Sequence, residues 1–195
     1  MTQPGPALTS DTIVAYIGDV FARRGAEEYL GEAVTIGEHM LQGAAIAEQD
    51  GQPDEIVAAA LLHDIGHFTS EFGTFSMDDT EDRFHEAAGA RLLEPFFPEA
   101  VVECVRHHVA AKRYLCFARP EYFKALSPAS VHSLKLQGGP MNDAEAEAFA
   151  ENPHLEAILQ VRFLDEAGKR KDFETPGFDH YAPLLQRLVD QHTKV

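Results

Sequence analysis

The sequence is poor in cysteine and has no long apolar run. Its 195 residues include two cysteines, Cys104 and Cys116, whose spacing is typical of neither a disulfide framework nor a thiolate zinc site. We therefore expect a reducing, cytoplasmic setting. No apolar stretch reaches the roughly 18 residues that a membrane-spanning helix requires, and the first ten residues lack the basic start and apolar core of a signal peptide. A membrane partner is not expected.

Basic residues are scarce relative to acids. The chain contains 16 lysines and arginines and 32 aspartates and glutamates, which gives a formal net charge of −16. Such a charge repels nucleic acid and anionic membranes over long distances, so we expect neither as a partner. The expected partner is a small molecule, and an anionic one would need a local basic patch to overcome the overall field.

Segments of alternating polarity long enough to form strands are also missing, so the expected fold class is all-α. Apolar residues recur instead at helical spacing. They predict helices at 33–49, 54–63, 84–94, 99–111, 142–150 and 179–191, with three more opened by Ser10-Asp11, Ser127-Pro128 and Asn152-Pro153. The whole chain, residues 1–195, is expected to form one domain with a flexible N-terminal segment at residues 1–9.

The apolar run from Ile56 to Leu62 ends in His63-Asp64-Ile65-Gly66. This run predicts a helix that is buried on nearly every side, and Gly66 is typical of a helix C-terminus. An imidazole beside a carboxylate at a buried helix end is unfavourable unless it is compensated, and a cation is the usual compensation. The alternative for an isolated pair is a core histidine that a neighbouring acid satisfies by hydrogen bonding.

Further potential metal ligands lie on the apolar stripes of other predicted helices: His39, His85, His108 and Asp165. A buried polar group left unmatched costs about 1–3 kcal/mol of folding free energy, and a shared metal cluster would satisfy all of these groups together. Nitrogen and oxygen ligands without a thiolate suit iron, manganese or zinc. We therefore expect a metal centre that joins these four residues to the His63-Asp64 pair.

The order His…His-Asp…Asp, carried by His39, His63-Asp64 and Asp165, resembles that of the HD-domain superfamily, whose members are all-α metal-binding bundles. Together with the two additional histidines between Asp64 and Asp165, the resemblance implies a di-metal centre in the core of an HD-domain helical bundle. In that arrangement Asp64 would bridge the two ions, and the other five side chains would be terminal ligands.

A closer resemblance rests on sequence blocks in a fixed order from about Tyr29 to Tyr181: Tyr29-Leu30-Gly31-Glu32-Ala33, Leu61-Leu62-His63-Asp64-Ile65-Gly66-His67, His108-Val109-Ala110-Ala111-Lys112-Arg113-Tyr114-Leu115, Leu126-Ser127-Pro128-Ala129-Ser130, Gln137-Gly138-Gly139-Pro140-Met141 and Asp165-Glu166-Ala167-Gly168-Lys169. These blocks resemble the HD-domain di-iron oxygenases that cleave carbon–phosphorus bonds. The resemblance implies a mixed-valent iron pair, Fe2+ and Fe3+, with dioxygen as co-substrate. The implied substrate is 2-amino-1-hydroxyethylphosphonate, yielding glycine and phosphate, or its N-trimethyl analogue, yielding glycine betaine and phosphate.

The same resemblance implies roles for residues beyond the metal ligands. Tyr29 would ligate iron in the substrate-free site, and Glu32 would bind the substrate's ammonium. Phosphonate oxygens would accept hydrogen bonds from side chains on or near the helix opened by Ser127-Pro128: Ser130, Ser133 and Gln137. Without the resemblance, Tyr29 would be interpreted as a hydrophobic anchor and Glu32 as an acid favoured by a helix dipole.

Two basic residues lie one helical turn from predicted ligands. Lys112 follows His108 by four residues and shares its helical face, so we expect its ammonium to pair with the phosphonate. The alternative is a surface lysine whose stem covers the helix. Arg162 precedes Asp165 by one turn and is expected to orient that carboxylate.

Two further histidines are expected to stay outside the metal shell. His67 lies beyond Gly66, which we expect to end the helix. His107 is turned about 100° from His108 by the 3.6-residue period.

The irregular stretch at residues 68–83 is interpreted as a loop that can cover a site. Phe68, Phe72 and Phe75 would form an aromatic wall beside Glu32, which favours a quaternary ammonium by roughly 0.5–2 kcal/mol. The alternative is a hydrophobic cover that does not contact the substrate's nitrogen.

Three other functions remain open at the level of the sequence. An HD phosphohydrolase would use its metals to activate water against a phosphate ester. A polyol oxygenase related to the inositol oxygenases would keep the iron but release no phosphate. A non-catalytic sensor or scaffold would keep the metal for stability alone.

Overall fold

A computed structural model describes residues 7–29, 31–69 and 80–193 of the chain. Within these ranges the regular structure is helical, apart from an isolated bridge between Glu28 and Thr35. The helices are α1 (Ile13–Arg24), α2 (Ile36–Gln49), α3 (Asp54–Leu62), α4 (Gly66–Thr69), α5 (His85–Leu93), α6 (Glu99–Ala118), α7 (Pro120–Ala125), α8 (Pro128–Leu136), α9 (Asp143–Ala150), α10 (Leu155–Ala167) and α11 (Phe178–Thr193). The expected all-α class is confirmed.

Part of the predicted loop at 68–83 lies outside the described residues. Residues 70–79 belong to that part, so Phe72 and Phe75 of the predicted aromatic wall fall there as well. Phe68, the third residue of that wall, is buried in α4 with its ring centroid 6.4 Å from that of Phe21. Among the helices that the structure describes, none is both long and apolar enough to cross a membrane.

Helix α3 lies at the centre of the bundle, packed against α2, α6 and α10. Every residue from Ile56 to Leu62 is buried, as the continuous apolar run predicts. The helix ends at Leu62, with His63 as its C-cap. A helix enclosed on all sides therefore delivers the His63-Asp64 pair into the protein interior.

Helix α2 begins at Ile36, three residues later than predicted. The Thr35 side chain accepts a hydrogen bond of 3.2 Å from the Glu38 amide, and the Glu38 carboxylate accepts one of 2.8 Å from the Thr35 amide. This reciprocal capping box fixes the first turn. The Thr-x-x-Glu pattern is visible in the sequence and decides the boundary, whereas the apolar residues before it do not.

Helix α6 is longer than predicted, since it continues to Ala118 rather than ending at residue 111. No proline or glycine interrupts the extension, and its residues Leu115 and Cys116 are buried in the bundle. Helix α7, which the sequence did not suggest to us, follows directly and has Pro120 at its first position. The long α6 carries His108 and Lys112 on one rigid element.

Gly66 does not end the central helix, contrary to the prediction. It begins α4, and the turn of residues 63–65 separates it from α3. A Cβ atom at Gly66 would lie 1.8 Å from the His85 carbonyl oxygen and 2.7 Å from the Gly89 amide nitrogen. A glycine is required here because α5 packs against the backbone of α4, a tertiary contact that local sequence does not reveal.

Candidate metal centre

Two groups of buried side chains in the core could each hold a metal ion. One comprises His39, His63 and Asp165, from α2, the end of α3 and α10; the other comprises Asp64, His67 and His85. Within each group one ligand atom per residue lies within 4.8 Å of the others. The structure therefore brings together the donors that the sequence placed on separate helices.

Backbone carbonyls fix the tautomers of three of these histidines. In each case the Nδ1 atom lies 2.8–2.9 Å from a carbonyl oxygen, which can only accept a hydrogen bond: His39 to Gly168, His63 to Ala60 and His108 to Val105. Nδ1 must therefore carry the proton and donate it. With that proton on Nδ1, the neutral ring presents the lone pair of its Nε2 atom to the centre, which is the form in which a histidine binds a metal.

The Nε2 atoms then meet in close pairs. The distance is 2.9 Å between His39 and His63, and 3.0 Å between His85 and His108. His108 was predicted as a ligand from its helical stripe, and this contact places it beside the second group.

Asp64 lies between the two pairs and turns one carboxylate oxygen to each. Its Oδ1 atom lies 3.2 Å from His85 Nε2 and 3.3 Å from His108 Nε2. Its Oδ2 atom lies 3.5 Å from His63 Nε2 and 3.6 Å from His39 Nε2. A carboxylate in this position has the geometry of a bridge between two cations.

The donor set fits metal ions better than it fits hydrogen bonding alone. Asp64 Oδ2 and Asp165 Oδ1 are buried and accept no hydrogen bond from the described residues. Burial opposes the charged forms, but the neighbouring imidazoles hold the pKa of Asp64 well below its usual range. Burial lowers the pKa of His63, but the negative charges of Asp64 and Asp165 raise it by more, so that this pKa is about 9. Cations would satisfy these lone pairs and negative charges together.

Two predicted residues flank the first group. The Arg162 guanidinium donates to Asp165 Oδ2 and, over 2.7 Å, to the Tyr122 hydroxyl, so it is placed where it can orient the carboxylate. The Tyr29 ring stacks on the His39 imidazole, with centroids 4.3 Å apart and an interplanar angle of 16°. Burial and the Asp64 carboxylate raise the pKa of the Tyr29 hydroxyl well above its usual value.

His67 is buried in the centre, which excludes a surface role, although its place outside the metal shell stays a prediction. Its Nε2 atom is 3.8 Å from Asp64 Oδ1, and its ring stacks on His85 with centroids 4.0 Å apart. The sequence did not suggest this burial to us because we expected Gly66 to end the helix before His67. A spacing of four residues from His63 was the signal that could have placed it. His107 does point away, with its Nε2 atom 3.1 Å from the Glu103 carboxylate.

A buried ammonium adjoins the centre. Lys112 Nζ donates a hydrogen bond of 2.9 Å to Ser133 Oγ, and both side chains line one cavity with Gln137, Tyr29 and Asp64. Burial and the nearby Arg162 cation lower the pKa of Lys112 to about 7. The Gln137 Oε1 atom is buried there without a hydrogen bond from the described residues.

Ser130 and Glu32 belong to a second polar cluster built around Lys169. Lys169 Nζ donates to Ser130 Oγ over 3.0 Å and lies 4.0 Å from Glu32 Oε1 and 3.9 Å from Asp165 Oδ1. Ser127 Oγ donates to Glu32 Oε1 over 2.5 Å. Lys169 was not among the residues predicted for the site, although its spacing of four residues from Asp165 repeats the relation between Lys112 and His108.

Comparisons with known proteins identify a family and several relatives of this chain. The model of the HD-domain family matches residues 36–159. A [1-hydroxy-2-(trimethylamino)ethyl]phosphonate dioxygenase (glycine-betaine-forming) of Leisingera caerulea is 66% identical over 185 residues, which cover 95% of this chain and 94% of the relative. A hydroxymethylphosphonate dioxygenase of Gimesia maris is 42% identical over 165 residues, which cover 84% of this chain and 82% of the relative. An uncharacterised protein of Acanthamoeba polyphaga mimivirus is 33% identical over 177 residues.

Proposed function

Because this chain belongs to the HD-domain family, we propose that it is a metal-dependent dioxygenase that converts 1-hydroxy-2-(trimethylamino)ethylphosphonate to glycine betaine and phosphate. The observation that carries the proposal is the Asp64 carboxylate, which turns one oxygen to each of two imidazole pairs beside the buried ammonium of Lys112. The L. caerulea relative, 66% identical over nearly the whole chain, supports the trimethylated substrate over the primary amine.

We propose two iron ions, Fe2+ and Fe3+, as the metals. One would be held by His39, His63 and Asp165, the other by His85 and His108, with Asp64 shared between them. The donor set contains only nitrogen and oxygen atoms and no thiolate, and such relatively hard donors suit iron. When bound, the irons supply the activation of dioxygen and the oxidation of the substrate at C1. In the net reaction one oxygen atom is joined to carbon and one to phosphorus, and the carbon–phosphorus bond breaks.

The phosphonate end of the substrate would lie in the cavity lined by Lys112, Ser133 and Gln137. An ammonium that is already buried binds a dianion strongly, because water does not screen the attraction. The dianion in turn favours the protonated form of Lys112, whose pKa in the free protein is about 7. The side chains thereby supply the local positive charge that a strongly acidic protein needs for an anionic substrate.

The cationic end would face Glu32, with Ser130 between the two ends. Glu32 already accepts a hydrogen bond from Ser127 and lies near the Lys169 ammonium, so its position is fixed before substrate binds. A trimethylammonium group cannot donate a hydrogen bond and needs a fixed negative charge rather than an acceptor of particular orientation. The preset carboxylate suits that group.

Tyr29 would close the site in the absence of substrate. Its ring is held against His39, and we propose that its hydroxyl holds the metal position that the substrate later takes. Burial keeps this hydroxyl protonated in the metal-free protein. The stacked ring also excludes water from His39, which protects the orientation of that imidazole.

The test is incubation of the iron-loaded protein with three phosphonates, with and without dioxygen. The compounds are 1-hydroxy-2-(trimethylamino)ethylphosphonate, 2-amino-1-hydroxyethylphosphonate and hydroxymethylphosphonate, and the assay measures phosphate, organic product and oxygen uptake. We expect glycine betaine and phosphate in equal amounts from the first compound, only in air, with the highest kcat/KM. Equal phosphate release without oxygen would instead indicate hydrolytic cleavage of the carbon–phosphorus bond, and preference for the primary amine would assign the glycine-forming reaction.

A further inference from the structure

Gln42 is a buried polar residue of α2 that has no role in the proposed metal centre or substrate pocket. Its side chain is 2% exposed, and it lies three residues after His39, so both project from neighbouring positions on one face of the helix. A buried amide is unfavourable unless both of its ends are hydrogen-bonded. The groups that satisfy it therefore indicate what it does.

Both ends of the Gln42 amide bind the backbone of a single residue beyond α10. Gln42 Nε2 donates to the Arg170 carbonyl over 2.8 Å, and the Arg170 amide donates to Gln42 Oε1 over 2.9 Å. The Arg170 side chain itself is directed outward, and its guanidinium lies over the Phe173 ring. Gln42 thus anchors the main chain at this point.

The anchored segment contains two groups of the candidate site. The Gly168 carbonyl accepts the Nδ1 proton of His39 over 2.9 Å, and Lys169 directs its ammonium inward to Ser130 and Glu32. The segment approaches α2 closely, because a Cβ at Gly168 would lie 2.8 Å from the His39 carbonyl oxygen. Lys169 is held in place because both of its chain neighbours, Gly168 and Arg170, are hydrogen-bonded to side chains of α2.

We infer that Gln42 is a positioning residue for the reaction centre. By fixing Arg170, it holds the Gly168 carbonyl against His39 and the Lys169 ammonium beside Ser130 and Glu32. The first contact maintains the His39 tautomer that binds a metal, and the second fixes the charge beside Glu32. The part concerning Lys169 rests on the proposed function, whereas the part concerning His39 requires only that the protein binds iron.

The stability of the fold and the geometry of the site are separable at this position. Arg170 is exposed, so water can replace the two hydrogen bonds of its backbone when Gln42 is changed to an apolar residue of similar length. Gln42→Met should therefore fold. The matched control is Gln49→Met, on the same helix at an exposed position.

The first experiment is anaerobic titration of the metal-free proteins with Fe2+, followed by equilibrium dialysis, which needs no substrate. In Gln42→Met we expect one of the two iron-binding events to weaken about 10–100-fold, a typical effect of losing support for a ligand histidine, while the other stays within about twofold of the Gln49→Met control. Equal weakening of both events, or of neither, would overturn the inference.

The second experiment measures KM and kcat at saturating iron, with Lys169→Met and the Gln42→Met/Lys169→Met double variant. If Gln42 acts through Lys169, each single variant raises KM for the phosphonate at least fivefold while kcat changes less, and the double variant is no worse than Lys169→Met. Additive effects on KM, or a loss of kcat that follows a lowered Tm, would reduce Gln42 to a structural residue. Absence of any phosphonate turnover would contradict the proposed function but leave the iron titration decisive.

Discussion

The Nε2 atoms of His39 and His63 lie 2.9 Å apart in the core, although each ring already donates its Nδ1 proton to a backbone carbonyl. Two lone pairs at this distance repel each other unless something positive lies between or beside them. In the metal-free protein the negative charges of Asp64 and Asp165 outweigh burial and raise the pKa of His63 to about 9, so that this ring holds a proton at Nε2. A metal ion would replace that proton and satisfy Asp64 and Asp165 as well.

Lys112 should destabilise the metal-free fold in a pH-dependent way. Its pKa falls from 10.5 to about 7 on folding, so between these values the unfolded chain binds more protons and stability rises with pH. Lys112→Met should therefore raise the Tm of the metal-free protein most at pH 7 and below, with the gain shrinking as the pH rises toward 10. Thermal melts from pH 6.5 to 9.5 measure this.

The same Lys112→Met variant should retain both irons but raise the KM for the phosphonate at least tenfold, as expected for losing one partner of a buried charge pair. Lys124→Met, on helix α7, serves as the control. A pH-independent change in Tm would contradict the lowered pKa of Lys112. An unchanged KM would show that Lys112 does not bind the phosphonate.

The Asp64→Asn substitution should weaken the binding of both ions, because it removes the charge shared by the two imidazole pairs. Iron per chain, measured after dialysis against a weak chelator, is expected to fall from two toward none. Asp19→Asn, an exposed carboxylate paired with Arg23, should keep both. Retention of the full iron content by Asp64→Asn would be incompatible with a bridging carboxylate.

Glu32→Gln should affect ligands that carry a charged nitrogen. We expect about a 30-fold or larger rise in KM for the trimethylated phosphonate, since a buried ion pair with one partner removed loses about 2–5 kcal/mol. Competitive inhibition by hydroxymethylphosphonate, which has no nitrogen, should change less than threefold. Glu28→Gln, at an exposed position, controls for net charge. A uniform loss across both ligands would place Glu32 outside the pocket for the cation.

The Gly66→Ala substitution should be costly because its Cβ would collide with the His85 carbonyl. The backbone of α5 must move to relieve the overlap, at about 1–3 kcal/mol or more, and His85 moves with it. We expect a Tm lowered by about 3–10 °C and impaired iron binding. Gly177→Ala, where an added Cβ meets nothing within 4 Å, should melt within about a degree of the wild type. Equal Tm values for the two variants would refute the packing role of Gly66.

The sequence was informative where a polar side chain lies on an otherwise apolar stripe of a predicted helix. His39, His85 and His108 were recognisable because each interrupts an apolar stripe, and the structure brings all three to Asp64. The class of the fold followed from the same periodicity. These features depend on residue spacing within a single helix, which the sequence contains directly.

Features that depend on contacts between helices were harder to predict. Gly66 was interpreted as a helix C-terminus because the helix it packs against, α5, lies about twenty residues away in sequence. For the same reason the burial of His67 was not predicted. Lys169 and Gln42 are polar residues whose partners lie on other elements. Nothing in the local sequence distinguishes Gln42 from an exposed side chain, and the only local signal for Lys169 is its spacing of four residues from Asp165.

Anomalous diffraction at the iron absorption edge, from crystals of the iron-loaded protein, tests the central claim most directly. We expect two iron peaks on opposite sides of Asp64, one coordinated by Oδ1 together with His85 and His108, the other by Oδ2 together with His39, His63 and Asp165. A single peak, or two peaks of which only one touches Asp64, would contradict the shared carboxylate on which the proposed dioxygenase rests.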